Sequence, residues 1–380
     1  MPKRALSGIA VMAAVALLTA ACGTTTNNPA TTAKIAKGNL KGVKFAFAMP
    51  TSQGQVYVAQ QKTFTTQAQA LGAKVTVYDN HGDADTMLRN ADLMVAARPD
   101  VIVEYPSVAN ATDRVGQKFK TAGIPCIAIN VPVKGCSFFN FDQVALAKLG
   151  AQAMAKKMAA RGWDGTNTTV LIGQASQLGS SVNIAVTSFY DELSRIVPNM
   201  KHVSSSAITS TTTQITADQG YQGDLGLTAD SGYTATLHSL QSMPQKRNLV
   251  VYTVSDDTTQ GVLRAADTQG RTAKTLLSGY GGTLQGLNAV REGGVWATDQ
   301  NGFFPQWGEF LLAMSVAIAQ GVEPPALTSP PQVVLTKENV DTYYKPGTEE
   351  LIKMPALPKA SRYLLDTGIL QKFGNVEGAE

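Results

Sequence analysis

The chain has 380 residues, 44% of them hydrophobic, and a formal charge of +4. Its Lys and Arg are scattered, and no basic block carries interleaved aromatics, so composition gives no support to nucleic-acid binding. The about 340 residues beyond the leader suit two lobes better than one, because single cores stop growing near about 250–300 residues.

The leader comes first. A basic start (Lys3, Arg4), an apolar run from Ile9 to Leu18 and the small residues Thr19-Ala20-Ala21-Cys22-Gly23 have the layout of a secretory signal. The run is shorter than the about 20 residues that span a bilayer. Gly, Pro or charge interrupts every later apolar run, so no transmembrane helix is expected. The cleavage region resembles a bacterial lipobox, which implies removal of residues 1–21 and lipidation of Cys22. Thr19 stands where Leu is commoner, and Leu18 is one place early. The other reading is an ordinary signal cut near Ala21, with Cys22 unmodified. The lipid reading places the mature chain outside the cytoplasm, on the outer face of the cell membrane. Gly23 to Asn39 is rich in Thr, Asn, Ala and Gly and reads as a flexible tether, so 22–40 forms a linker. With Cys22 lipidated, Cys126 and Cys136 are left as an even pair in an oxidising compartment, where a disulfide is expected. The alternative is a buried thiol at Cys126 and an exposed one at Cys136.

From Val43 short apolar strands alternate with helical stretches. Strands are expected at Val43–Phe47, Lys74–Tyr78, Val101–Tyr105 and Pro125–Asn130. Helices are expected between them at Val56–Leu71, Asp83–Ala97 and Ser107–Ala122, closed by Gly72, Arg98-Pro99 and Gly123. The rhythm then repeats. Helices are expected at Gln143–Arg161, Ser181–Ile196, Ser231–Met243, Thr258–Gln269, Thr283–Glu292 and Gln306–Gln320. Strands are expected at Thr169–Gly173, His202–Ser206, Leu249–Val254, Thr275–Tyr280, Val295–Thr298 and Val333–Leu335. Residues 207–229 are rich in Thr, Gln and Gly and read either way, and the proline-bearing tail from Thr336 is expected to wrap the surface. Two successive α/β sets imply parallel sheets, with ligands outside the carboxyl ends of the strands.

Several segments, in this order, carry a family resemblance. They are Phe45 to Met49 with Gln53 and Tyr57, Ala97 to Val103, Gly123 to Asn130, Phe138-Phe139 to Gly150, Tyr252 to Asp257, Gly279 to Gly282 and Ala297 to Gln300. Over roughly Lys41 to Val340 the chain resembles sugar-type solute-binding proteins of ABC importers, the type I, ribose-binding-protein-like periplasmic binding proteins. The resemblance implies an α/β fold of two similar Rossmann-like lobes with parallel sheets, joined by a three-strand hinge, with the ligand cleft between them. It implies an N-lobe of 41–141 plus 301–330, a C-lobe of 142–300 plus 331–345 and a tail of 346–380. It implies a small polar solute, most readily a sugar, a membrane permease as partner and a monomer, with no cofactor. Asn130 stands where the family often has Asp, Val131 where it has Arg, and Tyr280 where an Asp is usual. Asn183 is the nearest polar residue to a missing Arg.

Sugar hydroxyls need paired donors and acceptors, and sugar C–H faces stack on aromatic rings. The candidate ligand residues are therefore Gln53, Tyr57, Tyr105, Asn130, Asn183, Ser255, Asp256, Tyr280 and Gln300. For six of them there is a structural alternative. Tyr57 and Tyr105 could pack internally, Asn130 could serve a turn, and Asn183, Ser255 and Asp256 could cap helices. Trp296 reads as core or wall, and Phe138 and Phe139 as hinge packing. His81, His202 and His238 lack ligand spacing, and Asp79, Asp83 and Asp85 lack the rest of a calcium loop, so no metal is expected. No nucleophile with an oriented base and no catalytic carboxylate pair is evident, which argues against an enzyme. A ligand-sensing lipoprotein that presents its solute to a receptor would share fold and pocket with an importer subunit.

Overall fold

The computed structural model describes residues 39–176 and 180–379. The leader, Cys22 and nearly all of the tether lie outside the described residues. The first lobe contains β1 (Lys44–Met49), α1 (Gln55–Ala70), β2 (Lys74–Asp79), α2 (Ala84–Ala97), β3 (Val101–Glu104), α3 (Thr112–Ala122), β4 (Cys126–Ile129) and β5 (Ser137–Phe139). These strands form a parallel sheet in the order β2-β1-β3-β4-β5.

The chain continues through α4 (Gln143–Ala160), β6 (Thr168–Gln174), α5 (Ser180–Ile196), β7 (Gln214–Thr216), β8 (Gly220–Asp224), α6 (Ala229–Gln241) and β9 (Asn248–Tyr252). Then follow α7 (Asp256–Thr268), β10 (Thr275–Tyr280), α8 (Leu284–Glu292) and β11 (Trp296–Asn301). The second sheet has the order β12-β11-β10-β9-β6-β8-β7, where β12 is Val333–Leu335. Its centre is parallel, and the two edge strands β12 and β7 are antiparallel. Helices cover both faces, so central strands such as β3 and β6 are buried on both sides and read as nearly unbroken apolar runs.

Local chemistry sets the element ends. Asp83 caps α2 by accepting the Thr86 N–H at 2.7 Å, and Asp142 caps α4 by accepting the Ala145 N–H at 2.9 Å. Cys126 and Cys136 are joined by a disulfide that ties the start of β4 to the residue before β5.

The lobes are joined by three crossovers. The first is 139–142, the second 301–304 and the third 328–332. The first and third run side by side: Asn140 N–H donates to Thr328 O at 3.1 Å, and Asp142 N–H to Gln332 Oε1 at 3.2 Å. In the second, Trp307 Nε1 donates to Gly302 O at 2.8 Å.

Helix α9 (Trp307–Ala319) follows the second crossover and is apolar and buried almost all round. A helix of that kind needs cover on every side. The first lobe covers one side through α1 and β3, and the C-terminal segment covers another with the turn at Lys359–Thr367 and α11 (Ile369–Phe373). Tyr363 Oη pairs with Thr328 Oγ1 at 2.7 Å, and Ser361 Oγ accepts the Ser329 N–H at 2.8 Å. The tail is thus integral to the N-lobe core, where Leu364, Ile369 and Leu370 are buried, and not a surface wrapping alone.

Two further expectations need correction. His202–Ser206 is not a strand: Asp191 takes the His202 ring at 2.9 Å and the Ser205 N–H at 2.8 Å, and these bonds hold the segment as an irregular turn. The helix expected from Ser107 starts at Thr112 after a short 3₁₀ turn, because Ser107 Oγ donates to Pro50 O at 2.8 Å instead of capping. Within the ambiguous 207–229 stretch, β7 and β8 pair at the sheet edge.

Candidate functional site

The carboxyl ends of the parallel strands in both lobes face a cleft of about 1090 Å³. A cleft of this size, walled by rings and a few polar groups, is the usual form of a small-molecule site. The N-lobe side is built by the start of α1 and the ends of β3 and β4. Tyr57 and Tyr105 meet edge to face with ring centroids 5.1 Å apart. Asn130 Nδ2 donates to Tyr105 Oη, and Asn140 Nδ2 donates to the Asn130 carbonyl at 3.3 Å. Asn130 sits at φ +60°, a left-handed conformation that Asn adopts more readily than most residues. The turn role and the cleft role therefore coincide in one residue. Burial, and then the neighbouring Tyr57, push the Tyr105 hydroxyl well above its ordinary range, so it stays a neutral donor.

The hinge supplies the back wall. Phe141, on the first crossover, packs edge to face against Phe304 at 4.7 Å, Trp307 at 4.8 Å and Tyr280 at 5.7 Å. Such ring pairs add to plain burial and fix orientation. Tyr280, at the end of β10, is buried, and Gln143 lies beside its hydroxyl.

The C-lobe floor is a carboxyl pair under the turn after β10. Asp256 accepts the Tyr280 N–H at 3.1 Å, the Thr283 N–H at 2.8 Å and Thr283 Oγ1 at 2.8 Å. Asp299 accepts the Gly282 N–H at 3.3 Å. Burial pushes both acids up, and Asp299 is raised further by the charge of Asp256. Two buried carboxyls in contact disfavour each other's ionisation.

Of the nine candidate residues, Tyr57, Tyr105, Asn130, Ser255, Asp256 and Tyr280 line the cleft. Asp256 spends its oxygens on the 280–283 turn, so it shapes the floor. Ser255 holds the cap position of α7 without a side-chain cap bond, and its Oγ reaches the Leu227 carbonyl at 3.4 Å. Three candidates lie elsewhere. Gln53 is exposed in the loop before α1, and Gln55 lines the cleft in its place. Asn183, on α5, is not in the lining, although Ala185 is. Gln300 is wholly buried inside the C-lobe: its Oε1 accepts Tyr252 Oη at 3.2 Å, and its amide lies where a Cβ on Gly150 would stand, 2.2 Å away. Strand β11 runs on to Asn301, so Gln300 packs against α4 rather than ending at the hinge. Trp296 is core.

Phe141, Asn140, Gln143, Phe304, Tyr344 and Glu349 line the cleft without having been singled out. The phenylalanine run gave the only cue: Phe139 packs on Trp307 at 5.1 Å, and Phe141, two residues on, reaches the cleft. Among the described lining residues there is no Lys, Arg or His.

Two lobes on parallel sheets, three crossovers and a ring-walled cleft at the strand ends define a hinged binding protein. Residues 45–323 match the family described as "Periplasmic binding protein domain", and the chain belongs to that family. It is 23% identical over 256 residues to the D-xylose-binding periplasmic protein of Escherichia coli (strain K12), covering 67% of this chain and 71% of that one. Its fold is that of an ABC transporter solute-binding protein from Mycobacterium smegmatis with bound glycerol, with TM-score 0.64, 20% identity and coverage of 79% of this chain and 96% of the other. It is also that of a periplasmic ribose ABC transporter protein from Conexibacter woesei, with TM-score 0.65, 18% identity and coverage of 80% and 94%. As periplasmic binding proteins act outside the cytoplasm, so does this chain, and no described helix is long and apolar enough to cross a membrane.

Proposed function

We propose that this protein is the solute-binding component of an ABC importer, that it captures a neutral sugar or sugar derivative by hinge closure, and that it hands the solute to a membrane permease. The observation that carries the sugar assignment is the lining itself. Rings at Tyr57, Tyr105, Phe141, Tyr280 and Phe304 supply faces for C–H surfaces, and Asn130, Asn140, Gln143 and Ser255 supply neutral donors and acceptors. With no cationic side chain among the described lining residues, sugar phosphates and sugar acids meet no ion-pairing partner there. The protein acts by binding, as a monomer tethered through lipidated Cys22, and not as an enzyme. The relatives named for D-xylose and bound to glycerol point the same way.

A thermal-shift screen tests this reading. D-xylose, D-allose, L-arabinose and glycerol form the neutral set, with D-glucuronate as the anionic arm and a nucleoside and an amino acid as controls. At least one neutral sugar should raise the unfolding midpoint, by mass action worth about 2.7 kcal/mol at a hundredfold excess over its dissociation constant. D-glucuronate should leave it unchanged. A shift confined to the nucleoside or the amino acid would replace the sugar assignment.

A further inference from the structure

The family match ends at residue 323, yet the cleft lining includes Tyr344 and Glu349. The chain after β12 forms α10 (Val340–Tyr343) and then folds back on itself: Lys345 N–H donates to Glu350 O at 3.0 Å, and Ile352 N–H to Tyr343 O at 2.7 Å. This small loop is anchored to the C-lobe by Arg291, which binds Asp341 at 2.7 Å, the Tyr344 carbonyl at 3.3 Å and the Lys345 carbonyl at 3.0 Å. The Tyr344 ring stacks on Phe303 with centroids 6.0 Å apart, and its hydroxyl accepts Asn301 Nδ2 at 2.9 Å. After the loop, the chain returns to the N-lobe and packs on α9. The loop is therefore seated in a fixed position at the edge of the cleft and is tied to both lobes.

Three successive amides at the start of α8 each meet a carboxyl. Gly282 N–H goes to Asp299, Thr283 N–H to Asp256 and Leu284 N–H to Glu349, the last at 2.6 Å. Asp299 and Asp256 are buried, whereas Glu349 is exposed and lines the cleft. One oxygen of Glu349 holds the helix start, and the carboxylate has acceptor capacity beyond that single bond. We propose that the 340–351 segment completes the ligand site, with Glu349 accepting a hydroxyl of the bound solute and Tyr344 bracing the wall beside it. This rests on the solute-binding reading above and makes the tail a determinant of specificity.

The test uses the full mature protein and the neutral sugar that gives the largest shift in the screen, with affinity read by calorimetry. Glu349→Gln keeps an amide oxygen for the Leu284 N–H but removes the charge. It should weaken binding about tenfold, as expected for a lost bond to a charged group, with the ligand-free midpoint unchanged. Glu349→Ala should weaken it at least as much. Glu350→Gln, one residue away and outside the lining, should bind as the wild type does. Wild-type affinity in Glu349→Gln would overturn the proposal, including the case in which only Glu349→Ala is impaired, because Glu349 would then act as a helix cap alone. If Glu349→Gln instead lowers the ligand-free midpoint in step with affinity, the loss is structural and the proposal also fails. Absence of any shift in the wild type would remove the solute reading, and this proposal with it.

Discussion

Glu104→Gln is expected to stabilise the protein by several kcal/mol at pH 8 and to change it little at pH 4. Glu104 ends β3 and is wholly buried. Its Oε1 accepts Asn80 Nδ2 at 2.9 Å, and its Oε2 has no hydrogen-bond partner among the described residues. Burial pushes its pKa up to about 8, against the opposing pull of the Asn80 bond. The sign follows from linkage. Below about 4.5 the acid is neutral both folded and unfolded, so its burial carries no charge penalty. Between about 4.5 and 8 the unfolded chain ionises while the folded one stays protonated, so stability falls by about 1.4 kcal/mol per pH unit. Above about 8 the folded acid ionises too, and the loss levels off. The whole window amounts to about 4–5 kcal/mol as an upper bound. Gln keeps an acceptor for Asn80 and does not titrate. Glu309, raised to about 7 by burial, adds a slope of the same sign in both proteins, so the difference between them isolates Glu104. Urea unfolding midpoints at pH 4, 6 and 8 would read this, and parallel pH curves for the two proteins would contradict it.

The second large effect is expected at the hinge. Gly302 lies on the second crossover, and a Cβ there would fall 1.5 Å from Phe141 Cε1. Phe141 has little room to yield, since Phe304, Trp307 and Tyr280 surround it. Gly302→Ala should therefore cost about 1–3 kcal/mol through overpacking. It should also weaken sugar binding by at least about tenfold, because the displaced ring is a cleft wall. Adding Phe141→Leu should recover stability while affinity stays low, a coupling that a double-mutant cycle resolves. Wild-type affinity in Gly302→Ala would show that the Phe141 ring contributes nothing to binding.

Much of this architecture was legible in the sequence. Apolar runs such as Val101 to Val103 and Val170 to Ile172 are buried strands, and Gly72, Arg98-Pro99 and Gly123 do mark helix ends. Residues at strand ends were the accessible part of the site, because strand ends are where a parallel sheet opens: Tyr105, Asn130 and Tyr280 all lie there. Residues whose position depends on long-range packing were not accessible. Gln300 missed because its strand continues one residue further and because Gly150, nearly the whole C-lobe away in sequence, leaves space for its side chain. Asp256 does line the cleft, but the Tyr280 and Thr283 amides and the Thr283 hydroxyl take up its oxygens, so it shapes the floor. Nothing local to Tyr344 or Glu349 signals a cleft. Their place follows from Arg291 and from the need of α9 for cover on its outer face.

The three crossovers give the protein its working motion. A solute that touches both lobes stabilises the closed arrangement over the open one, and closure follows from that difference in affinity. Small-angle X-ray scattering of the mature protein, with and without a saturating neutral sugar from the screen, tests this most directly. A smaller radius of gyration with sugar, and no change with D-glucuronate, is the predicted result. A sugar that binds tightly while the radius of gyration stays the same would contradict capture by hinge closure.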